Sequence, residues 1–210
     1  MENRNDISKL TAAGVPATTT DFSCGWWGKH LPPQIVEGQI TIAVGQGYRS
    51  NKHVHGQNVY VVETGERVAL IEMRKYGDLY GSGMWHYLVG VDGAAFVAQV
   101  PNTIDSLAEA LEYLKPVEVK RAEEAGLKVQ RQGDWYFVPL ARTPRGEVEL
   151  NQALDDDHIA AISIRTKTVT YVQGAVAHGQ HPPVYLDTWH KAIRNKAIRT
   201  GRLAQGGGAD

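Results

Sequence analysis

The chain has 210 residues, a formal net charge of -1 and a single cysteine. Hydrophobic residues make up 42% and charged residues 21% of it, which is typical of a folded globular protein and argues against wholesale disorder. The charge balance excludes a globally basic, histone-like protein. Cys24 alone forms neither an intramolecular disulfide nor a CxxC metal knuckle. Because a signal-peptide pattern and a long apolar run are both missing, we expect a cytoplasmic protein without membrane insertion.

The first half of the chain predicts an antiparallel sheet. Residues 1–22 are polar and lack a sustained periodicity, so they are expected to form a flexible N-terminal arm. Between residues 34 and 100, β-branched residues recur in short runs separated by turn residues. The clearest hairpins lie at 58–72 and at 84–100, and the second contains the turn dipeptide Asp92-Gly93.

Helical spacing appears in the middle of the chain. Ser106 and Glu109 fit a capping box, and the apolar residues that follow have the period of a helix. Pro116 would end this helix and begin a second one that ends at Gly126. The chain then returns to strands, which we predict at 127–139 and 158–176.

The C-terminal part contains a basic segment at 188–203 and a glycine-rich tail at 204–210, which we expect to be flexible. Trp189, Ile193 and Ala197 would share one face if the basic segment were helical. The predicted fold class is therefore α+β, mainly antiparallel β-sheet with two central helices and a basic C-terminal helix. Residues 23–203 are expected to form a single domain.

Histidines are concentrated just before the basic segment. His178, His181 and His190 have an HxxH spacing with a third histidine further on, and neutral imidazoles are common ligands of zinc and other divalent metals. Pro182 and Pro183 restrict the backbone beside the second histidine. The pattern lacks the glutamate of the metalloprotease HExxH motif. It therefore predicts either a metal site or a rigid corner whose histidines bond to carbonyl groups.

A second histidine pair lies in the predicted sheet. His53 and His55 would project from the same face of a strand toward one ion. With Gly47, the pair resembles the first half of the cupin motif, and it also resembles the metal-binding element of rolling-circle replication nucleases. Cupins place a glutamate soon after the second histidine, whereas the next carboxylate here is Glu63. The nucleases need a helical tyrosine, whereas the tyrosines of 76–80 lie in a predicted loop.

If the two histidine clusters met in the folded chain, they would form one larger metal site. The candidate ligands also include two acids of an acidic triplet and two further histidines. The triplet precedes a predicted strand, and it also fits a solvated turn. These additional candidates are Asp156, Asp157, His158 and His86.

The basic segment predicts contact with RNA or DNA. Five cations fall within twelve residues without an intervening acid, and phosphate groups attract such a surface. These cations are Lys191, Arg194, Lys196, Arg199 and Arg202. A solvated basic face without a ligand is the alternative. A nucleotide cofactor is not expected, because neither GxxxxGK[ST] nor GxGxxG occurs.

Two C-terminal segments carry a resemblance to known proteins. Arg131-Gln-Gly-Asp-Trp-Tyr-Phe-Val-Pro139 and the stretch 174–195, with His178 and Trp189-His190-Lys-Ala-Ile-Arg-Asn195, resemble proteins of phage and mobile-element origin in prokaryotes. The resemblance covers the C-terminal half of the chain. It implies a genomic context and no particular activity.

Three functions are therefore open at this level. The leading hypothesis is a nucleic-acid-associated cytoplasmic protein of phage or mobile-element type, with a histidine metal site beside its basic segment. The first alternative is a metal-dependent hydrolase or nuclease that uses both histidine clusters, a metal-bound water, and Asp157 or Glu63 as base. The second alternative is a structural or assembly protein that binds a protein partner or a second copy.

Overall fold

A computed structural model of the chain describes residues 5–22, 30–46, 55–77, 82–92, 94–155, 157–179, 181–195 and 199–200. The chain divides into two compact units, Met1–Leu114 with Ala197–Asp210, and Lys115–Lys196. Each unit is built mainly from antiparallel strands, as predicted. In the described part of the chain, no helix has the length and apolar character needed to cross a bilayer.

The first unit is organised around an eight-stranded sheet in the order β1-β3-β4-β5-β6-β7-β14, with β2 paired to β3. Both predicted hairpins are present, as β4 with β5 and β6 with β7. Its elements are α1 (Ser8–Ala12), β1 (Ala17–Asp21), β2 (Gln34–Val36), β3 (Gln39–Gln46), β4 (His55–Gly65), β5 (Val68–Gly77), β6 (Gly83–Asp92), β7 (Ala94–Val100), α2 (Leu107–Leu114) and β14 (Arg199–Thr200).

Alternation along the strands gives this sheet two apolar faces. Ile71 and Met73 of β5 pack into one core, which includes Leu10 and Val15. Leu70 packs into the other core, against α2. Residues 8–12 and 17–21, which lie in the segment expected to be a flexible arm, thus form a helix and a strand with buried neighbours.

Helix α2 begins where the sequence places its cap. The Ser106 hydroxyl accepts a hydrogen bond from the Glu109 amide at 3.3 Å. The Glu63 carboxylate of β4 accepts a second hydrogen bond from the Leu107 amide at 2.6 Å. Both oxygens satisfy backbone amides of the first helical turn that have no partner within the helix, which is the usual function of an N-cap.

The second unit is a six-stranded sheet in the order β10-β11-β12-β13-β9-β8. The Trp135 ring in β9 lies 6.4 Å from the His158 ring in β11, although β12 and β13 separate these strands, so the sheet is strongly curled. Its elements are α3 (Val117–Glu124), β8 (Gln130–Gln132), β9 (Trp135–Pro139), β10 (Val148–Ala153), β11 (His158–Arg165), β12 (Thr170–His178) and β13 (His181–Arg194).

The predicted basic C-terminal helix is wrong for residues 188–194, which continue β13, and for residues 199–200, which form β14. β13 pairs with β12 on one side and with β9 on the other, and its alternate residues His190 and Ala192 are buried. Trp189 and Ile193 are four residues apart, a spacing that fits one face of a helix and one face of a strand equally well. Residues 196–198 and 201–203 of the predicted helix lie outside the described residues.

Candidate metal centre

Three histidines occupy registered positions on three neighbouring strands of the second unit. His158 begins β11 and pairs with His178 at the end of β12, and His178 pairs with His181 at the start of β13. The ring centroids of His158 and His178 are 4.4 Å apart, with the planes inclined by 48°. Strand pairing therefore gathers these positions, which we call the histidine row, at one end of the curled sheet.

Asp155 holds the imidazole of His158 in one orientation. Its Oδ1 atom accepts hydrogen bonds from the His158 ring Nδ1 at 3.0 Å and from the His158 amide at 2.8 Å. Its Oδ2 atom accepts a hydrogen bond from the Trp135 indole at 2.8 Å. An aspartate that bonds backbone and side-chain donors a few residues ahead is a common turn element, which explains its position directly before β11.

The same contacts keep Asp155 ionised. Burial alone would raise the pKa of its carboxyl, but hydrogen bonds from His158, from Trp135 and from two backbone amides outweigh burial and hold the pKa well below the ordinary value of 3.8. Because the carboxylate accepts the Nδ1 proton of His158, the neutral form of this ring has its lone pair on Nε2.

The Nε2 atom of His158 is the unusual atom of the site. His158 is 4% exposed, and within the described part of the chain Nε2 is a buried atom without a hydrogen-bond partner. An unsatisfied buried polar atom costs about 1–3 kcal/mol, and most buried polar atoms in folded proteins have a partner. A second imidazole, that of His178, lies beside this atom. A metal ion is one kind of partner that a buried imidazole lone pair can bind.

A carboxylate cluster adjoins the row on its other side. Asp134, Asp155 and His158 offer ligand atoms that all lie within 4.8 Å of one another. However, the Arg194 guanidinium donates from Nε to Asp134 Oδ2 at 2.7 Å, and its Nη2 atom lies 3.7 Å from Asp155 Oδ2. This cation already neutralises both carboxylates, so the atom of this group that lacks a partner in the described residues is Nε2 of His158.

The third predicted ligand, His190, does not join the histidine row. It pairs with Val172, six positions before His178 on β12, which at about 3.3 Å per residue corresponds to a separation on the order of 20 Å. His190 is buried, and its Nδ1 atom donates to the Thr188 carbonyl at 2.8 Å. This is the structural alternative that the sequence left open for histidines near residue 181.

The other predicted ligands are distributed over the chain. His55 lies at the start of β4 in the first unit, and neither its side chain nor His53 and Asp156 belong to the described residues. His86 lies in β6, where its ring contacts Glu72 and a backbone carbonyl. Asp157 is exposed beside His158, and its amide donates to Asp155.

The described cations of the basic segment are paired with acids. Lys191 donates to the Glu118 carboxylate of α3, and Arg194 bonds Asp134 as described above. The side chains of Lys196, Arg199 and Arg202 lie outside the described residues.

Sequence reasoning missed the combination of Asp155 with His158. The signal was present as an aspartate three residues before a histidine that begins an alternating strand. The neighbouring acids suggested a solvated turn instead. The partner Trp135 is twenty positions away from Asp155 and is brought to it only by the curvature of the sheet.

No protein-family model, curated protein sequence or solved structure matches this chain. Its function must therefore be argued from the geometry of its own residues.

Proposed function

We propose that this protein binds a transition metal ion of the zinc class at the histidine row of its second unit. His158 and His178 are the proposed ligands, and His181 is a third candidate because its backbone pairs in register with His178. The observation that carries the proposal is the buried Nε2 atom of His158, which has no partner in the described part of the chain and lies beside the His178 ring.

Two features favour a metal over a merely structural histidine. A carboxylate that accepts the second ring proton is the usual companion of a metal-binding imidazole, because it fixes the tautomer and raises the basicity of the ligand nitrogen. Asp155 has this relation to His158. Imidazole nitrogens also match the preference of zinc, copper and nickel, whereas magnesium and calcium prefer oxygen ligands.

The test is a metal titration of protein purified without chelator and without a histidine tag. We expect wild type to bind about one equivalent of Zn²⁺, and Co²⁺ to give the visible absorption of a tetrahedral site. His158→Asn is expected to weaken binding by at least about 100-fold because it removes a ligand. His190→Asn is the matched control, since it changes another buried histidine of the same sheet.

Wild-type protein that takes up less than about a tenth of an equivalent of any transition metal would argue against the proposal. So would a His158→Asn variant with wild-type affinity. Loss of binding in His190→Asn alone would instead restore the ligand set inferred from the sequence. Circular dichroism of each variant before the titration verifies that it is folded.

Hydrolysis at the same ion is a second proposal. Three histidine ligands leave the fourth position of a tetrahedral ion for water, whose pKa falls to about 7 when it is bound to zinc. Of the two bases suggested by the sequence, Asp157 lies exposed one residue before His158. Glu63 belongs to the first unit, where it caps α2. Zinc-dependent cleavage of an activated phosphodiester that Asp157→Asn abolishes would support hydrolysis.

Association with RNA or DNA through residues 188–203 also remains a proposal, as do the cytoplasmic location and the phage or mobile-element context. Because Lys191 and Arg194 are already paired with acids, nucleic acid would have to compete with Glu118 and Asp134 for them. The triple variant Arg194→Ala, Arg199→Ala, Arg202→Ala should weaken binding and reduce its salt dependence. Unchanged affinity and an unchanged salt slope would exclude this surface.

A further inference from the structure

Gln132 of β8 is a buried amide with one unsatisfied atom. The residue is 4% exposed, and its Nε2 atom donates to the Pro182 carbonyl at 2.7 Å. Because a carbonyl oxygen only accepts hydrogen bonds, this bond identifies the nitrogen end of the amide. The other end, Oε1, is a buried acceptor without a hydrogen-bond partner in the described part of the chain. Most buried acceptors in folded proteins are bonded to a donor, so this oxygen needs one.

Gln132 adjoins the histidine row on two sides. On one side, its backbone pairs with Trp135, whose ring lies 6.4 Å from the ring of His158. On the other side, its amide is bonded to Pro182, which directly follows His181 at the start of β13. The side chain is thus tied to the strand at which the row ends and, through the β8–β9 hairpin, to the ring at which the row begins.

The two unsatisfied atoms at this end of the sheet are both acceptors. Asp155 accepts the Nδ1 proton of His158, which leaves a lone pair on Nε2 of that ring. The Oε1 atom of Gln132 has only lone pairs. An ion on the imidazole nitrogen satisfies the first atom, and a water molecule on the open position of such an ion has a hydrogen for the second. One molecule bound to the ion can therefore satisfy the amide oxygen as well.

We infer that Gln132 accepts a hydrogen bond from the molecule that occupies the open position of the ion at the histidine row. The inference rests on the proposed function and names the class of that molecule. It is a protic ligand, such as water, an alcohol or an amine, which binds the ion through a lone pair and donates a hydrogen to Oε1. An anion without hydrogen, such as azide, brings a lone pair toward Oε1 and is disfavoured. Gln132 thus determines specificity and is not itself a ligand of the ion.

The experiment measures the binding of azide to the Co²⁺ form of the full chain by visible absorption. In wild type, azide has to displace a water molecule that donates to Oε1. Gln132→Met keeps the length of the side chain and removes the acceptor, so azide should bind about 3- to 10-fold more tightly, the factor that one neutral hydrogen bond contributes. Gln130→Met is the matched control. Gln130 also donates its amide to a carbonyl of β13, that of Tyr185, but it is only partly buried, and its variant should bind azide like wild type.

A second variant separates the acceptor from the bond to Pro182. Gln132→Glu loses the donor to the Pro182 carbonyl but keeps an acceptor oxygen, so it should bind azide no more tightly than wild type. Tighter azide binding in both variants would assign the effect to the lost Pro182 bond and overturn the inference. Equal azide affinity in wild type and Gln132→Met overturns the inference alone, whereas a wild type that takes up no Co²⁺ overturns the proposed function and the inference together.

Discussion

The two units each bury a histidine against a carboxylate, but they satisfy the imidazole differently. His86 in the first unit is 3% exposed; its Nε2 atom lies 3.2 Å from Glu72 Oε2, and its Nδ1 atom lies 2.8 Å from the Ile104 carbonyl oxygen. Both ring nitrogens of His86 thus have a hydrogen-bond partner inside the fold, and Arg74 is a second partner of Glu72.

His158 in the second unit has the same kind of carboxylate on one nitrogen and, within the described residues, no partner on the other. A buried histidine beside an acid is thus not by itself a functional site. The difference lies in the second nitrogen, which a carbonyl group satisfies in one unit and which remains available for a ligand in the other. We therefore expect His86 to contribute to stability, and His158 is the ligand in the metal site that we propose.

The first unit should show the strongest effect of a substitution. His86→Leu should lower the free energy of unfolding by about 3 kcal/mol, because it leaves one oxygen of the Glu72 carboxylate and the Ile104 carbonyl without their imidazole partner, while Arg74 still bonds the other oxygen. Urea denaturation measures the change. The double variant His86→Leu, Glu72→Leu should recover much of the loss, since the buried carboxylate is then absent and the Arg74 side chain is exposed to water. A single-variant loss below about 1 kcal/mol would show that the pair is not the stabilising element described here.

Zinc should act on the second unit with the next largest effect. At a free Zn²⁺ concentration 100 times the dissociation constant, wild type should gain about 2.7 kcal/mol of stability. His158→Leu should gain almost nothing from zinc, because its ligand nitrogen is absent. His86 does not belong to the site, so the increment from zinc should persist in His86→Leu if that variant folds. Equal increments in wild type and His158→Leu would remove the distinction between the two histidines.

Asp155→Asn should have a smaller effect on the same site. Asparagine cannot accept the Nδ1 proton of His158 as a charged group, so we expect zinc affinity to fall by about 10–100-fold, with the stoichiometry unchanged. Competition with a chromophoric chelator measures this affinity. Asp134→Asn is the control, because the Asp134 carboxylate is paired with Arg194 and is not one of the proposed ligands. A stronger loss in Asp134→Asn would move the ion to the carboxylate side of His158.

The smallest difference is expected in how the free energy of unfolding depends on pH in acid. Because the pKa of Asp155 is lowered in the folded state, its contribution is fully present above the unfolded value near 3.8 and is lost as the pH falls below that value. In metal-free buffer, wild type and Asp155→Asn should therefore differ most above about pH 5 and converge in acid. Asp157→Asn changes an exposed residue, and its free energy of unfolding should depend on pH in the same way as that of wild type. A constant offset for Asp155→Asn down to pH 2 would contradict the lowered pKa.

Local patterns predicted much of the sheet and its turns. The hairpins at 58–72 and 84–100 could be predicted because alternation and turn dipeptides are properties of neighbouring residues. The Ser106 cap of α2 could be predicted for the same reason. The four-residue spacing of Trp189 and Ile193 is compatible with both a helix and a strand. Residues 188–194 form a strand because they pair with β12 and β9.

An antiparallel β-rich chain, its main hairpins and a histidine-rich region at 178–190 could be predicted from local sequence patterns. Which histidines meet could not be predicted from them. Strand register joins His158 to His178 and separates His190 from them, and the curled sheet brings Trp135 to Asp155. Turns and alternation depend on adjacent residues, whereas register and curvature depend on packing between strands that are distant in the chain.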